Sequence, residues 1–462
     1  MEILTVLFES FSLSSETMLF LLPFIVIFYY AFSLFGYKKF FLVLVGLGFF
    51  FVLSQFSLLA LILLIGLSIV NFILLRISQL YHSQILLYFA FFLNLSSLIL
   101  LKYIPETPTI LNDISHFVGF IGISFYIFHV WSIFMDIHTK KIMQPINFMN
   151  FMSYLLYFPK MITGPLVRYN DFEKELLNET INETFVMEGV ALFLYGMIIK
   201  AVADYVALYP TNIYANPQGY GGFEHLSAMY GYALYIFLDF SAYTNMARGI
   251  SRLFGIELPI NFNSPYRATS IIDFWRRWHI SLSNWIRDYI YIPLGGSKKG
   301  AIKMYFNLFI AFLLSGLWHG VGLHFAIWGV IHGVGIIINK FFTTLKLSIP
   351  SVIAWFITFH WVVLGWVFFA NSIDDAFISL SQIWFNFDIF TAKNVILNNL
   401  NWFILLPMGL LFSLWDNTIL IKWMEIFTRL YYTLKIFIFW LILWLILISH
   451  QGKVNTFIYQ NF

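Results

Sequence analysis

The chain has 462 residues, of which 60% are hydrophobic and only 11% are charged. Soluble domains contain about 25% charged residues, because a soluble surface needs charge to stay in water, so this composition excludes a soluble protein. The net charge of +3 provides no field that would recruit nucleic acid, and the absence of cysteine excludes disulfides, Cys-based metal sites and Cys thioesters.

Long apolar runs recur from one end of the chain to the other. They are apolar on all sides and do not alternate with polar residues, which predicts membrane helices and excludes a transmembrane β-barrel. The predicted spans are residues 18–35, 40–53, 58–75, 85–101, 117–135, 185–208, 229–246, 305–318, 325–338, 352–369, 402–415 and 434–448. Several are shorter than the roughly 20 residues that cross hydrocarbon unaided, so we expect about 10–13 membrane segments, some tilted or re-entrant. They form one all-α polytopic membrane domain over residues 1–462.

Residues 148–169 are hydrophobic but do not have the pattern of a span. Pro159, Gly164 and Pro165 interrupt the segment. Broken helical backbone is costly in lipid, so this segment predicts a re-entrant loop that is buried in protein.

The stretch 264–303 is basic and aromatic. Seven Lys and Arg residues stand against Asp273 and Asp288, and Trp and Tyr residues alternate with them. This pattern is typical of amphipathic helices at the cytoplasmic interface. On one continuous helix through 273–288, Arg276, His279 and Ser283 would share a face.

The basic residues of this stretch have two possible roles. They could simply pair with the phosphates of membrane lipids. They could also bind a phosphate-bearing cytosolic donor, such as the nucleotide part of coenzyme A, because the planar Arg side chain suits phosphate. The candidate donor-binding residues are Arg276, Arg277, Trp278 and Arg287.

His319 lies between two apolar runs and is flanked by Gly316 and Gly320, which allow a helix or a ligand to approach closely. A neutral imidazole at membrane depth could take a proton from a hydroxyl group, or it could only bond to a neighbouring helix. Metal binding is disfavoured, because His324 follows five residues later instead of three or four, and no metal site is predicted. The residues 457–462 by themselves predict an aromatic anchor at the interface.

Several motifs together resemble the membrane-bound O-acyltransferase (MBOAT) family. They are the Trp-Arg-Arg-Trp-His sequence at 275–279, Tyr-Ile-Pro-Leu-Gly-Gly at 291–296 and Ser-Gly-Leu-Trp-His-Gly at 315–320. Residues 158–165, 239–243 and 261–267 are similar to the branch that acts in bacterial alginate and peptidoglycan O-acetylation. The resemblance covers residues 122–335 and the tail at 457–462.

The resemblance implies a ring of helices around a central funnel, with a tunnel between cytoplasm and exterior. His319 matches the principal catalytic histidine of the family, and His279 matches its second polar catalytic position. The tail resembles aromatic endings in which a tyrosine hydroxyl carries the acyl group, which would be Tyr459. Here Gln460 follows that tyrosine in place of the usual aromatic residue.

The function implied is a transmembrane O-acetyltransferase in the bacterial inner membrane. It would take acetyl from cytoplasmic acetyl-CoA and feed a periplasmic Ser-type (SGNH) O-acetyltransferase that modifies a cell-envelope polysaccharide. Peptidoglycan is favoured over alginate as the acceptor. The high content of Phe, Ile, Asn and Lys is typical of an AT-rich genome, whereas the familiar alginate producers have GC-rich genomes. The alternatives are alginate or another exopolysaccharide, D-alanyl transfer to teichoic acid, and, in another class, a transporter. The chain would contact membrane lipid directly, the acceptor polysaccharide only indirectly, and no nucleic acid.

Overall fold

The computed structural model describes residues 13, 15–81, 83–100, 122–178, 182–450 and 457–458. Within these residues the regular structure is entirely helical, which confirms the all-α prediction. The helices are α1 (Glu16–Leu34), α2 (Lys38–Leu53), α3 (Leu58–Tyr81), α4 (Gln84–Leu98), α5 (Ile123–His138), α6 (Phe148–Leu155), α7 (Tyr169–Leu177), α8 (Glu183–Ala215), α9 (Gly222–Leu253), α10 (Ile271–Arg277), α11 (Ile280–Ile286), α12 (Ala301–His319), α13 (Leu323–Thr344), α14 (Ser351–Ala370), α15 (Ile373–Phe385), α16 (Ile389–Asn398), α17 (Leu400–Ser413), α18 (Asp416–Arg429) and α19 (Tyr432–His450).

Six of these helices, α1, α3, α8, α12, α13 and α14, are long and apolar enough to cross a membrane. The pair α16 and α17 is bent by 98° at Asn399 and counts as a seventh span if it crosses as one unit. Shorter apolar helices are Gln84–Leu98 and Tyr432–Leu445. The described part of the chain therefore supplies six or seven of the 10–13 predicted segments, and the polytopic membrane architecture is confirmed.

The chain divides into two compact units by its internal contacts. Unit 1 comprises Met1–Met197, Tyr243–Pro259 and Ile426–Asn461. Unit 2 comprises Ile198–Ala242, Ile260–Glu425 and Phe462. The long helices α8 and α9 each contribute residues to both units.

Unit 1 contains the interrupted segment 148–169. Helix α6 ends at Leu155, and a single 3₁₀ turn, Phe158–Lys160, follows at the proline. Residues 151–167 are all buried. A side chain at Gly164 would overlap the backbone of Lys160, so only glycine fits there. The prediction of broken backbone buried in protein is confirmed.

Within unit 2, α8 and α9 are joined by a buried ion-pair cluster. The Lys200 ammonium lies 2.8 Å from both the Asp204 and the Asp239 carboxylates. Lys200 and Asp239 are almost completely buried. Since an isolated charge would be very costly at this depth, each partner depends on the others, and the cluster fixes the two helices relative to each other within the unit.

Candidate active site

The 273–288 region is not one continuous helix, so the prediction that Arg276, His279 and Ser283 share a face is wrong. Helix α10 ends at Arg277, and α11 starts only at Ile280. His279 between them has a left-handed backbone, with φ 42° and ψ 53°. A left-handed residue cannot continue a right-handed helix, so α10 and α11 are two separate short helices.

The neighbouring loop holds His279 in this conformation. The Ile280 amide donates to the Asn261 carbonyl at 3.0 Å, and the Asn263 amide donates to the Arg277 carbonyl at 3.0 Å. The Asn261 side chain also accepts from the Ser281 amide at 3.2 Å. Backbone pairing on both sides of His279 compensates the cost of a left-handed residue, about 1–2 kcal/mol.

The His279 imidazole lies in an apolar environment. It is 1% exposed, and its ring contacts the Phe240 ring edge-on at 4.7 Å. Neither ring nitrogen has a hydrogen-bond partner within the described residues. Burial lowers the pKa of His279 to about 3, so the ring is neutral at physiological pH. Strained backbone together with unsatisfied buried nitrogen atoms is typical of a functional residue.

His319 is the last residue of α12 and lies where this helix packs against α13. A side chain at Gly316 would overlap the Phe325 carbonyl, and one at Gly320 would overlap the Phe325 ring. Both glycines are therefore needed for the close approach of α13 to α12. The prediction that Gly316 and Gly320 allow a helix or a ligand to approach closely is confirmed. The element that approaches is helix α13.

Aromatic rings surround the His319 side chain, which is 3% exposed. The Trp328 ring meets it edge-on at 4.9 Å, and the Phe369 ring does so at 5.2 Å. The Trp318 ring lies 4.7 Å away. The described surroundings of His319 are therefore largely aromatic.

The two histidines belong to one buried aromatic cluster of unit 2. From His319, ring contacts run through Trp328 to Trp366 at 5.9 Å, and from Trp366 to Trp278 at 4.8 Å. Trp278 directly precedes His279. The structure thus brings the two predicted catalytic residues into one packed environment, although 40 positions separate them in the sequence.

A third buried histidine, His332, also belongs to this cluster. The Trp275 indole donates to its Nδ1 at 3.3 Å, and its ring lies 4.8 Å from Trp328. Sequence analysis did not assign His332 a role. The available signal was an ionisable residue within an apolar helix, which is uncommon unless it has a partner or a function.

A cavity of about 450 Å³ lies beside α10, α11 and α12. Its lining is mostly apolar and includes Trp275, but three cations, Arg276, Arg287 and Lys340, also face it. Such a space fits a ligand with an anionic part and an apolar part. Lys340 lies on α13, far from the basic stretch in sequence, and sequence analysis missed it.

Not all of the predicted donor-binding residues line this cavity. Arg276 and Arg287 do so, whereas Arg277 and Trp278 do not. Arg277 forms an ion pair with Asp273 at 3.0 Å and donates to the Asn263 carbonyl. Trp278 is a core residue, 1% exposed. In the structure Arg277 contacts the loop that holds His279, and Trp278 belongs to the aromatic cluster.

The predicted acyl carrier, Tyr459, lies outside the described residues, so its role stays a prediction. The start of the tail is described. Phe457 is buried, and its ring meets the Tyr243 ring edge-on at 4.7 Å within unit 1. Ile458 is also buried. The tail is thus held by protein contacts up to the residue before Tyr459.

The chain is similar to known proteins over the region that contains this site. Residues 54–373 match the model of the MBOAT, membrane-bound O-acyltransferase family. The chain is 38% identical to the probable alginate O-acetylase AlgI of Pseudomonas syringae, over 56% of this chain and 50% of that protein. It is 36% identical to the peptidoglycan O-acetyltransferase of Helicobacter pylori, over 50% of this chain and 45% of that protein.

A third relative is the teichoic acid D-alanyltransferase of Bacillus subtilis, 31% identical over 55% of this chain and 69% of that protein. The chain spans about half the length of the first two relatives. The family match includes α10 to α13, and therefore His279, His319 and the cationic cavity. The chain belongs to the membrane-bound O-acyltransferase family.

Proposed function

We propose that this protein is a transmembrane acetyltransferase that takes acetyl from cytoplasmic acetyl-CoA and passes it across the bacterial inner membrane. One observation carries the proposal: His319 and His279 are buried in one aromatic cluster of a chain that belongs to an acyltransferase family. In this environment both imidazoles can exchange protons with a hydroxyl group and a thioester without competition from water.

The proposed chemistry is acyl transfer to a hydroxyl. His319 takes the proton of the accepting hydroxyl, whose oxygen attacks the acetyl carbonyl carbon of the thioester. The C–S bond then breaks, and the departing sulfur of coenzyme A takes up a proton. Neutral His279 orients or stabilises the reacting groups through hydrogen bonds. A correctly placed base of this kind contributes about 10²–10⁴-fold to the rate.

The accepting hydroxyl belongs to Tyr459 in this proposal. A tyrosine phenol, with a pKa near 10, is a better leaving group than a sugar alkoxide, so an acetyl-tyrosine can donate onward. A periplasmic Ser-type O-acetyltransferase of the SGNH class would then transfer the acetyl group to the polymer. Burial of Phe457 and Ile458 supports a tail that is held in place and is not a loose extension.

Peptidoglycan is the proposed final acceptor, and alginate or another exopolysaccharide is the first alternative. D-alanyl transfer to teichoic acid is supported by the name of the Bacillus subtilis relative. Measuring envelope esters after the gene is deleted, and again after it is restored, distinguishes acetyl transfer from D-alanyl transfer. We expect O-acetyl esters on peptidoglycan to disappear and return, with D-alanyl esters unchanged; loss of D-alanyl esters alone would contradict the acetyl-transfer proposal.

Replacing Tyr459 with phenylalanine is expected to abolish polymer acetylation. The change keeps the ring and removes one oxygen, which is the atom that would carry the acetyl group. A truncation that removes residues 459–462 but keeps the buried Phe457 is the matched comparison, and both variants should be equally inactive. If the phenylalanine variant is active and the truncation is not, the tail is an anchor and another hydroxyl carries the acetyl group.

Replacing Arg276 with glutamine is expected to raise the KM for acetyl-CoA about tenfold with little change in kcat. The Arg276 side chain lines the cationic cavity, and a charge-assisted hydrogen bond to phosphate contributes about 1.5–3 kcal/mol. Arg267→Gln is the matched control, because Arg267 is exposed in the same basic stretch and does not line the cavity. Equal effects of the two changes would indicate a general electrostatic role only.

A further inference from the structure

A second cavity, of about 300 Å³, lies in unit 2 between the end of α8 and the bend that joins α16 to α17. This volume is at the small end of ligand pockets, about 300–1,000 Å³. Aromatic and amide side chains form most of the lining: Tyr205, Tyr209, Tyr220, Trp402, Asn212 and Asn399. The remaining lining residues are aliphatic, and no charged side chain among the described residues lines this cavity.

The aromatic wall of the cavity is rigid. The Trp402 and Tyr209 rings are stacked at 4.2 Å, and Phe403 packs edge-on against Tyr209 at 5.7 Å. The Trp402 indole donates to the Val206 carbonyl at 3.0 Å. A side chain at Gly231 would meet the Trp402 ring at 2.5 Å, so glycine makes room for the indole. A wall fixed in this way loses little entropy when a flat ligand face packs on it.

The polar groups of the lining are neutral. The Tyr209 hydroxyl is buried and lies near the Ser227 side chain, so Tyr209 contributes its ring to the lining. The Asn399 amide donates to the Val395 carbonyl through its nitrogen, which leaves the amide oxygen to accept. Asn212 is exposed, with both ends of its amide available. Hydroxyl and amide groups can donate and accept together, as the hydroxyl and acetamido groups of a sugar require.

Electrostatics argue against an anionic ligand. The Glu224 carboxylate lies near the Tyr209 hydroxyl, and the residues that the structure describes place no cation in the cavity lining. The cavity beside α10 differs in this respect, since Arg276, Arg287 and Lys340 face it. A lipid phosphate or a coenzyme A phosphate would find no counter-charge here, and burying an unpaired charge is costly.

We infer that this cavity binds a neutral saccharide, with the Tyr209 and Trp402 wall along the apolar face of a sugar ring and the Tyr and Asn groups on its hydroxyls. The span predicted from sequence at residues 229–246 precedes the basic 264–303 stretch, which is predicted to be cytoplasmic, so the loop with Tyr220 is expected on the outer side. The site would hold envelope polysaccharide near the protein. It is separate from the acetyl-transfer site and does not depend on its chemistry.

The test is the dissociation constant of chitotriose, a neutral N-acetylated trisaccharide, for the purified full chain in lipid nanodiscs. Saturation-transfer NMR on the acetamido methyl groups reports binding. We expect Asn212→Ala to weaken binding about fivefold, the loss of one neutral hydrogen bond. Asn394→Ala is the matched control, since Asn394 is exposed on α16 and does not line the cavity.

Two further measurements define the ligand class. An anionic trimannuronate should bind more weakly than chitotriose, and His319→Ala should bind chitotriose like the unchanged protein. The inference is overturned if chitotriose does not bind, or if it binds all variants equally. Displacement of chitotriose by phosphatidylglycerol headgroups would also overturn it, because the cavity would then be a lipid site. Loss of acetylation with binding intact would contradict only the proposed function.

Discussion

Cells in which His319 is replaced by alanine are expected to contain normal amounts of the protein in the membrane but no O-acetylated envelope polymer. His319 is the last residue of α12, and aromatic rings surround its side chain. The close approach of α12 to α13 depends on Gly316 and Gly320. Removing the imidazole therefore leaves helix packing in place and removes the proposed base. We expect acetylation to fall by about 10²–10⁴-fold.

The measurement is the amount of acetate released from the isolated polymer by mild base, normalised to the protein found in the membrane fraction. His324→Ala is the control, because His324 is only half-buried and lies in the first turn of α13, five residues after His319. Its polymer should be acetylated normally. Acetylation near the unchanged level in a normally expressed His319→Ala variant would remove His319 from the active site.

At position 279, glycine and alanine variants are expected to be equally inactive but unequally stable. Both lack the imidazole and leave the same space beside Phe240. They differ only in the backbone, where φ is 42°. Glycine adopts this conformation without strain, whereas alanine pays about 1–2 kcal/mol. His279→Gly should therefore unfold at a temperature a few degrees higher than His279→Ala.

The comparison uses thermal unfolding of the two purified variants in detergent, followed by the polymer acetylation assay. Equal melting temperatures would show that residue 279 is not left-handed in the protein. Activity in either variant above about one hundredth of normal would show that the imidazole is not needed for transfer. The two readouts thus test the geometry and the chemistry of His279 separately.

The all-helical membrane fold follows from composition, and the segment 148–169 follows from its prolines. The break at His279 could not be predicted in the same way. A left-handed backbone is uncommon for any residue other than glycine, and here the conformation depends on hydrogen bonds to Asn261 and Asn263. These contacts lie 16 or more positions away in the sequence. Local periodicity therefore predicts one continuous helix where tertiary pairing produces two.

In the candidate site, too, the sequence identifies the reactive residue, whereas its neighbours are seen only in the structure. Gly316, Gly320 and the apolar flanks of His319 mark this residue in the sequence. The rings around it, Trp328 and Phe369, come from α13 and α14 and are visible only in the structure. Lys340 likewise reaches the cationic cavity from α13. Spacing in a single sequence identifies the reactive residue but not the groups that tertiary packing places beside it.

The central claim is that this chain itself accepts acetyl from acetyl-CoA through His319. Purified protein in lipid vesicles, incubated with isotopically labelled acetyl-CoA and quenched, can be digested and analysed by mass spectrometry. We predict a labelled acetyl ester on the peptide that contains Tyr459, present with the unchanged protein and absent with His319→Ala. An unlabelled chain, or equal labelling of the His319→Ala variant, would contradict it.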